Sequence, residues 1–174
     1  DVYKRQNLDF NHPEVVKEME RWGIWVSREL DLDGMRLDAI KHINDEFIRK
    51  FLAAVRKERG ADFYAVGEYW KQDLESLDDY LKEERYKVDL FDVPLHYNMY
   101  QASKQGRDYD LSKILDGTLV QNHPTLAVTF VDNHDTQRGQ ALESTIQEWF
   151  KPAAYALILL REAGLPCVFY GDYY

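Results

Sequence analysis

The chain has 174 residues, of which 45% are apolar, 14% are aromatic and only nine are glycine, and this composition excludes collagen-like and intrinsically disordered proteins. Its formal net charge of −9 argues against nucleic acids and anionic membranes as partners, because an acidic surface repels their phosphates. The single cysteine, Cys167, excludes an internal disulfide and a cysteine-based zinc site.

Apolar spacing predicts helices that alternate with short strands. The first predicted helix begins at Pro13 and runs to about Leu30, with an apolar stripe of Val15, Val16, Met19, Trp22 and Val26. The apolar face of the next predicted helix consists of Phe47, Ile48, Phe51, Leu52 and Val55. Further helices are predicted over 73–82, 94–104 and 152–163, with a short one from Leu111. The predicted strands are 34–38, 63–67, 88–91, 126–131 and 167–170.

This alternation predicts a parallel sheet covered by helices, either an open doubly wound sheet or a closed barrel. Four predicted strands end in polar clusters with carboxylates, which are Arg36 with Asp38, Glu68, the segment 132–135, and Asp172. In a barrel the loops after the strands form one active face, so the clusters favour that fold. We therefore predict the α/β class and a partial (β/α)8 TIM barrel, approximately its strands 4 to 8. Residues 1–174 are interpreted as part of a single catalytic domain, and it stays open whether residues 1–6 are native.

The chemistry that these acids suggest is cleavage of a glycosidic bond, for which two carboxylates must face one another. Arg36 and Asp38 are two residues apart, so a strand would place both side chains on one face, where the arginine favours an ionised Asp38. Glu68 follows apolar residues, and burial near other acids would raise its pKa toward that of a proton donor. Each acid alone is equally compatible with a solvated charge at a strand end.

Four segments together resemble the α-amylase family of retaining glycoside hydrolases, most closely the bacterial liquefying and intracellular enzymes. The segment 34–42 (GMRLDAIKH) resembles the family's nucleophile strand, and 66–70 (VGEYW) resembles the acid/base strand. The segment 130–136 (FVDNHDT) is similar to the strand with the third catalytic acid, and 164–172 (GLPCVFYGD) to the last barrel strand. The resemblance covers nearly everything after Gln6.

The resemblance implies a role for each matching residue. Asp38 would be the nucleophile that forms a covalent glycosyl intermediate, Glu68 the general acid and base, and Asp135 the acid that binds sugar hydroxyls. It also implies a set of substrate-binding residues, namely Arg36, Lys41, His42, Tyr69, Trp70 and His134. For Tyr69 and Trp70 the alternative is simple core filling.

The resemblance also implies a calcium ion. Its ligands would include Asp9, Asn7 and the backbone carbonyl of His42, because the segment 7–12 (NLDFNH) resembles a calcium-binding stretch of the family. Asn7 stands where an acid is usual, and the lost charge would weaken binding. Asp9 and Asn11 are equally interpretable as turn or helix-cap residues.

The predicted activity is retaining endo-hydrolysis of α-1,4-glucosidic bonds in starch, glycogen or maltodextrins. Three alternatives stay open, which are an α-glucan transglycosylase of the same family, a non-catalytic glycan-binding or trafficking relative, and a hydrolytic metal centre built from Asp132, His134 and Asp135. We expect the 174-residue chain alone to be inactive, because an incomplete barrel leaves two strand edges unpaired and lacks part of its core.

Overall fold

The structure is a computed structural model that describes residues 8–174. Its centre is a sheet of five parallel strands, β1 (Gly34–Leu37), β2 (Tyr64–Gly67), β3 (Asp89–Phe91), β4 (Ala127–Phe130) and β5 (Leu165–Cys167). The strands lie in the sheet in their order along the sequence. A doubly wound sheet would reverse this order at a switch point, so the arrangement is a half-barrel and the predicted partial (β/α)8 barrel is confirmed.

Seven α-helices lie within the described range. They are α1 (Pro13–Glu29), α2 (Asp45–Arg59), α3 (Leu74–Glu83), α4 (Val93–Gln105), α5 (Leu119–Asn122), α6 (Lys151–Leu159) and α7 (Tyr170–Tyr173). The side chains of Asn44, Asp73 and Asp92 each accept a hydrogen bond from the backbone N–H three residues later in the chain, at 2.9–3.1 Å. These caps satisfy donors that a helix start leaves unpaired, which explains where α2, α3 and α4 begin. Residues 8–174 contain no helix with both the length and the apolar character that a membrane span requires.

The last part of the chain differs from the predicted boundaries. The predicted strand 167–170 is wrong by about two residues, because Gly164 turns the chain in a left-handed conformation (φ 86°) and pairing with β4 already begins at Leu165. Pro166 is tolerated in β5 because this strand is at an edge of the sheet, where a missing N–H matters less. Tyr170 begins α7 instead of ending a strand, and α6 ends at Leu159 rather than at 163.

The core lies between the sheet and the inner faces of the helices. The predicted apolar face of α2 is confirmed, since all five of its residues are buried. The predicted stripe of α1 is correct only in part. Val16 and Met19 are partly buried against the core, whereas Trp22 is 49% exposed and the fully buried residues of α1 are Gly23 and Ser27. Gly23 lets α1 approach α2 so closely that an added Cβ would overlap the Phe51 ring. Met19, Trp22 and Val26 line a groove of about 560 Å³ beside β1.

Candidate active site

The carboxyl ends of the strands meet around one arginine. The Arg36 guanidinium, from β1, lies 5.9 Å from the ring centroid of Phe91 at the end of β3. Phe91 packs edge to face on Phe130, the last residue of β4, with 5.8 Å between ring centroids. The cation and the aromatic face attract each other, so Arg36 is held across the mouth of the half-barrel.

Arg36 contacts both of the first two predicted acids. Its Nη1 lies 2.9 Å from Oδ1 of Asp38, and its Nη2 lies 3.2 Å from Oε2 of Glu68. The two carboxyl side chains differ sharply in exposure, at 71% for Asp38 and 8% for Glu68. One planar guanidinium, which can bind two oxygens at once, therefore joins an open carboxylate to a buried one.

The buried position of Glu68 follows from the pairing of β1 with β2. Its backbone N–H donates to the carbonyl of Leu37 at 2.8 Å, and its carbonyl accepts the N–H of Ile40 at 3.1 Å. Burial raises the pKa of the Glu68 carboxyl, and the nearby Asp38 acts in the same direction, while the Ala39 N–H and the Arg36 charge oppose it. A carboxyl that keeps its proton to higher pH is what a general acid requires.

The turn after Asp38 contains two features that sequence reasoning missed. Ala39 has a left-handed backbone (φ 50°), and its N–H points at Oε2 of Glu68, 3.1 Å away. An alanine gives no sequence signal for this conformation, which side chains other than glycine rarely adopt. The second feature is Gly67, where a Cβ would overlap Cδ1 of Ile40. The turn can pack over the end of β2 because Gly67 has no side chain.

Asp135 lies in a tightly bonded loop after β4. Oδ1 of Asn133 accepts the backbone N–H of Asp135 at 2.9 Å and that of Thr136 at 3.0 Å. Nε2 of His134 lies 3.4 Å from Oδ2 of Asp135, and the Asp135 side chain is 35% exposed. The structure thus brings Asp38 and Glu68 onto one arginine, whereas Asp135 follows the same edge of the sheet with polar contacts inside its own loop.

A partly buried lysine connects this loop to α7, the helix that follows the last strand. Nζ of Lys151, at the start of α6, lies 3.5 Å from Oδ2 of Asp132 and 2.6 Å from Oδ1 of Asp172. The Tyr155 hydroxyl donates to Oδ2 of Asp172 at 2.6 Å. Burial raises the pKa of Asp132 to about 6. Sequence reasoning missed this network, although a lysine between Phe150 and Pro152 was a visible signal.

The alternative metal centre is not assembled in the described part of the chain. Asp132 accepts the Thr136 hydroxyl at 3.0 Å and pairs with Lys151 instead of grouping with His134 and Asp135. Residues 8–174 contain no group of three His, Cys, Asp or Glu side chains that could hold a metal ion.

The remaining predicted substrate contacts fall into two groups. Lys41 and His42 are exposed in a short 3-10 helix after Asp38, and Nζ of Lys41 donates to the Trp70 carbonyl at 3.2 Å. Tyr69 is half-buried. Trp70 is only 8% exposed, and its ring centroid lies 6.0 Å from that of Phe130.

The predicted calcium ligands are only partly within the described range. Asn7 lies outside it. Oδ1 of Asp9 accepts the N–H of Asn11 at 3.0 Å, which is a turn contact, and the cap of α1 is His12 rather than Asn11. The second oxygen of Asp9 and the carbonyl of His42 suit a hard cation, but calcium takes six to eight oxygens. The described residues therefore supply part of a calcium shell at most.

Comparison with known proteins gives a consistent result. Residues 1–174 match the sequence model of the α-amylase catalytic domain. The chain is 54% identical, over all of its 174 residues, to the α-amylase of Bacillus licheniformis and to the glucan 1,4-α-maltohexaosidase of Bacillus sp. strain 707. The fold matches the crystal structure of the Geobacillus thermoleovorans α-amylase complexed with acarbose, with a TM-score of 0.73 and 30% identity, over 94% of this chain and 37% of that one. The chain covers 34% of each of the two Bacillus relatives, about a third of their length.

Proposed function

The chain belongs to the α-amylase catalytic-domain family, and on this basis we propose that it carries the reacting carboxylates of a retaining enzyme that hydrolyses internal α-1,4 bonds of starch, glycogen or maltodextrins. The contact of Asp38 and Glu68 with the same arginine is the observation that carries the proposal. In retaining glycosidases the two catalytic carboxyl groups lie about 5–5.5 Å apart. A guanidinium that contacts both carboxyls keeps them close together. The names of the Bacillus relatives support α-1,4-glucan as the substrate.

The proposed reaction uses the difference between the two acids. Glu68, buried and with a raised pKa, gives its proton to the glycosidic oxygen as the bond from that oxygen to the anomeric carbon breaks. A carboxylate oxygen of Asp38 forms a bond to the same carbon and gives a covalent intermediate. Glu68 then takes a proton from water, the water oxygen attacks the anomeric carbon, and Asp38 leaves with its negative charge restored.

The other polar residues of the mouth would bind and orient the sugar. We assign Asp135 to hydroxyl groups of the reacting ring, with His134 beside it at 3.4 Å. Lys41 and His42, exposed after Asp38, are assigned to the sugar on the leaving-group side. Arg36 holds both reacting carboxyls and thereby sets their distance.

Calcium would have a structural role. We propose that side-chain oxygens of Asn7 and Asp9 and the carbonyl of His42 contribute to its shell, with other ligands outside this group. Calcium would then fix the segment before α1 to the turn that follows Asp38. The test is thermal unfolding in a chelator and after calcium is restored; a melting temperature that is the same in both would remove calcium from the account.

The test of the activity uses a chimaera in which residues 1–174 replace the matching segment of the Bacillus licheniformis α-amylase. We expect it to hydrolyse maltoheptaose and to release the α-anomer first, which proton NMR detects before mutarotation. A folded chimaera that releases the β-anomer first, or that leaves maltoheptaose intact, would refute the proposal. Products longer than the substrate would identify a transglycosylase instead.

A further inference from the structure

A second concave site lies on the polar side of α2, away from the carboxylates described above. It is a groove of about 850 Å³ that runs along α2 and reaches the turns before β2 and β3, at Ala61 and Lys87. Small-molecule sites usually have volumes of about 300–1,000 Å³. The groove is therefore large enough for a ligand the size of a sugar derivative.

The lining of this groove has the opposite charge to the rest of the chain. It contains two acids, Glu46 and Glu84, and six basic residues, which are Arg49, Lys50, Arg56, Lys57, Arg85 and Lys87. The whole chain has 22 basic and 31 acidic residues. Such a local excess of positive charge in a concave surface attracts small anions.

Two of the arginines are fixed in position. Nη1 of Arg49 donates to the Glu83 carbonyl at 2.8 Å. Nη2 of Arg56 donates to the Lys87 carbonyl at 2.8 Å, and its Nε donates to the Phe63 carbonyl at 3.1 Å. These bonds hold both guanidinium groups beside the groove. The acceptors of Arg56 are neutral carbonyls, which leaves its positive charge available, whereas Arg49 also forms an ion pair with Asp45, with Nη1 3.2 Å from Oδ2.

Three other cations have no acidic partner within 4 Å among residues 8–174, namely Lys57, Arg85 and Lys87. Arg85 and the next residue, Tyr86, both have left-handed backbones with φ of 55°. Side chains other than glycine rarely adopt this conformation, and where they do it often marks functional sites. This turn presents Arg85 to the groove.

The buried acid of the lining weakens the positive field only in part. Glu84 is 2% exposed, and Oε1 of its carboxyl has no hydrogen-bond partner in the described structure. Burial raises the pKa of Glu84 to about 7, so a large fraction of this carboxyl is uncharged at neutral pH. Lys50 is also paired with Glu46, at 2.7 Å. With Arg56, Lys57, Arg85 and Lys87 in its lining, the groove keeps a net positive charge near and below that pH.

We propose that this groove binds a small phosphate-bearing anion, at a site separate from the glucan site, and glucose 6-phosphate and inorganic phosphate serve as its probes. Arginine and lysine bind phosphate oxygens through short, charge-assisted hydrogen bonds. A long polyanion such as nucleic acid is disfavoured, because the remainder of the chain is acidic. The inference does not depend on the proposed hydrolysis.

The experiment is isothermal titration of the full 174-residue chain, and of the chimaera defined above, with glucose 6-phosphate, inorganic phosphate and glucose. We expect glucose 6-phosphate and phosphate to bind and glucose not to bind. The double variant Lys57→Gln/Lys87→Gln should weaken glucose 6-phosphate binding about tenfold or more. The control Lys17→Gln/Lys104→Gln removes the same charge outside the groove and should change binding less than about twofold.

Three results would overturn the inference. The first is that neither phosphate compound binds to either protein at about 10 mM. The second is that glucose binds as tightly as glucose 6-phosphate. The third is that the control variant loses as much binding as the groove variant. Because titration measures binding and not hydrolysis, a failure here is distinguishable from a failure of the proposed activity.

Discussion

The backbone N–H of Ala39 donates a 3.1 Å hydrogen bond to Oε2 of Glu68. The turn that follows one proposed catalytic acid therefore holds the side chain of the other. Ala39 adopts a left-handed backbone in this contact. That conformation costs a residue other than glycine about 1–2 kcal/mol. The position of Glu68 thus depends on β1 as much as on β2.

Arg36→Met in the chimaera should alter the pH dependence of catalysis. The Arg36 charge lowers the pKa of Glu68, so its removal should raise that pKa further and keep the acid protonated to higher pH. We expect the alkaline limb of the kcat/KM profile to move to higher pH. We also expect kcat to fall about 10- to 100-fold, because the two carboxyls lose the guanidinium that holds them both. The control is Arg21→Met on the exposed side of α1. An unchanged alkaline limb in Arg36→Met would contradict the assigned role.

Gly67→Ala should destabilise the protein by about 1–3 kcal/mol, the usual range for overpacking a core. The added methyl group would overlap Cδ1 of Ile40, which is fully buried. Ile40→Val deletes that carbon, so the double variant should recover part of the lost stability. Urea unfolding of the two single variants and the double variant measures this coupling, and strictly additive effects would argue against the described contact.

Lys151→Met should leave two buried carboxylates, Asp132 and Asp172, without their shared cation. Breaking a buried ion pair by removing one partner typically costs about 3–5 kcal/mol. The matched variant Lys151→Arg keeps the charge and should lose less. Thermal unfolding of both variants of the chimaera is the measurement, and a Lys151→Met protein as stable as the parent would show that the network contributes little.

Glu84→Gln should flatten part of the pH dependence of stability. Burial raises the pKa of Glu84 from an ordinary 4.5 to about 7, so the folded state binds more protons than the unfolded state between these values. Its contribution to stability is then present below about pH 4.5 and is lost as the pH rises through 7.

The size of that loss is on the order of 3 kcal/mol if the whole shift is realised. The free energy of unfolding of the parent chimaera, compared with Glu84→Gln at pH 5 and pH 8, measures it. From pH 5 to pH 8, the free energy of unfolding of Glu84→Gln should rise relative to that of the parent. A difference that does not change with pH would disprove the raised pKa.

Much of the fold was predictable because its signals are local. The face of α2 from Phe47 to Val55 repeats at helical spacing, and the structure buries it as expected. The carboxylates at strand ends indicated the barrel, since parallel strands bring their carboxyl ends to one edge. The prediction for α1 was correct only in part, because periodicity identifies an apolar stripe without revealing which partner covers it: Val16 and Met19 pack against the core, and Trp22 faces a groove.

The candidate site was predictable in its residue types and not in its geometry. That Arg36 and Asp38 share a face follows from strand spacing, and the contact of Arg36 with Glu68 depends on the register between β1 and β2. The hydrogen bond from Ala39 requires a backbone conformation that its residue type does not indicate. The burial of Trp70 arises from packing against β4, a strand nearly sixty residues later, and no local pattern reveals it.

The central claim, that Glu68 is the proton donor of a retaining glucan hydrolase, is tested most directly by Glu68→Gln in the chimaera. Glutamine has the same shape and cannot donate an acidic proton to the leaving oxygen. We predict that turnover of maltoheptaose falls by at least about 10³-fold, within the range for loss of general acid catalysis, while isothermal titration still detects maltoheptaose binding. Hydrolysis at a rate close to that of the parent chimaera would contradict the account.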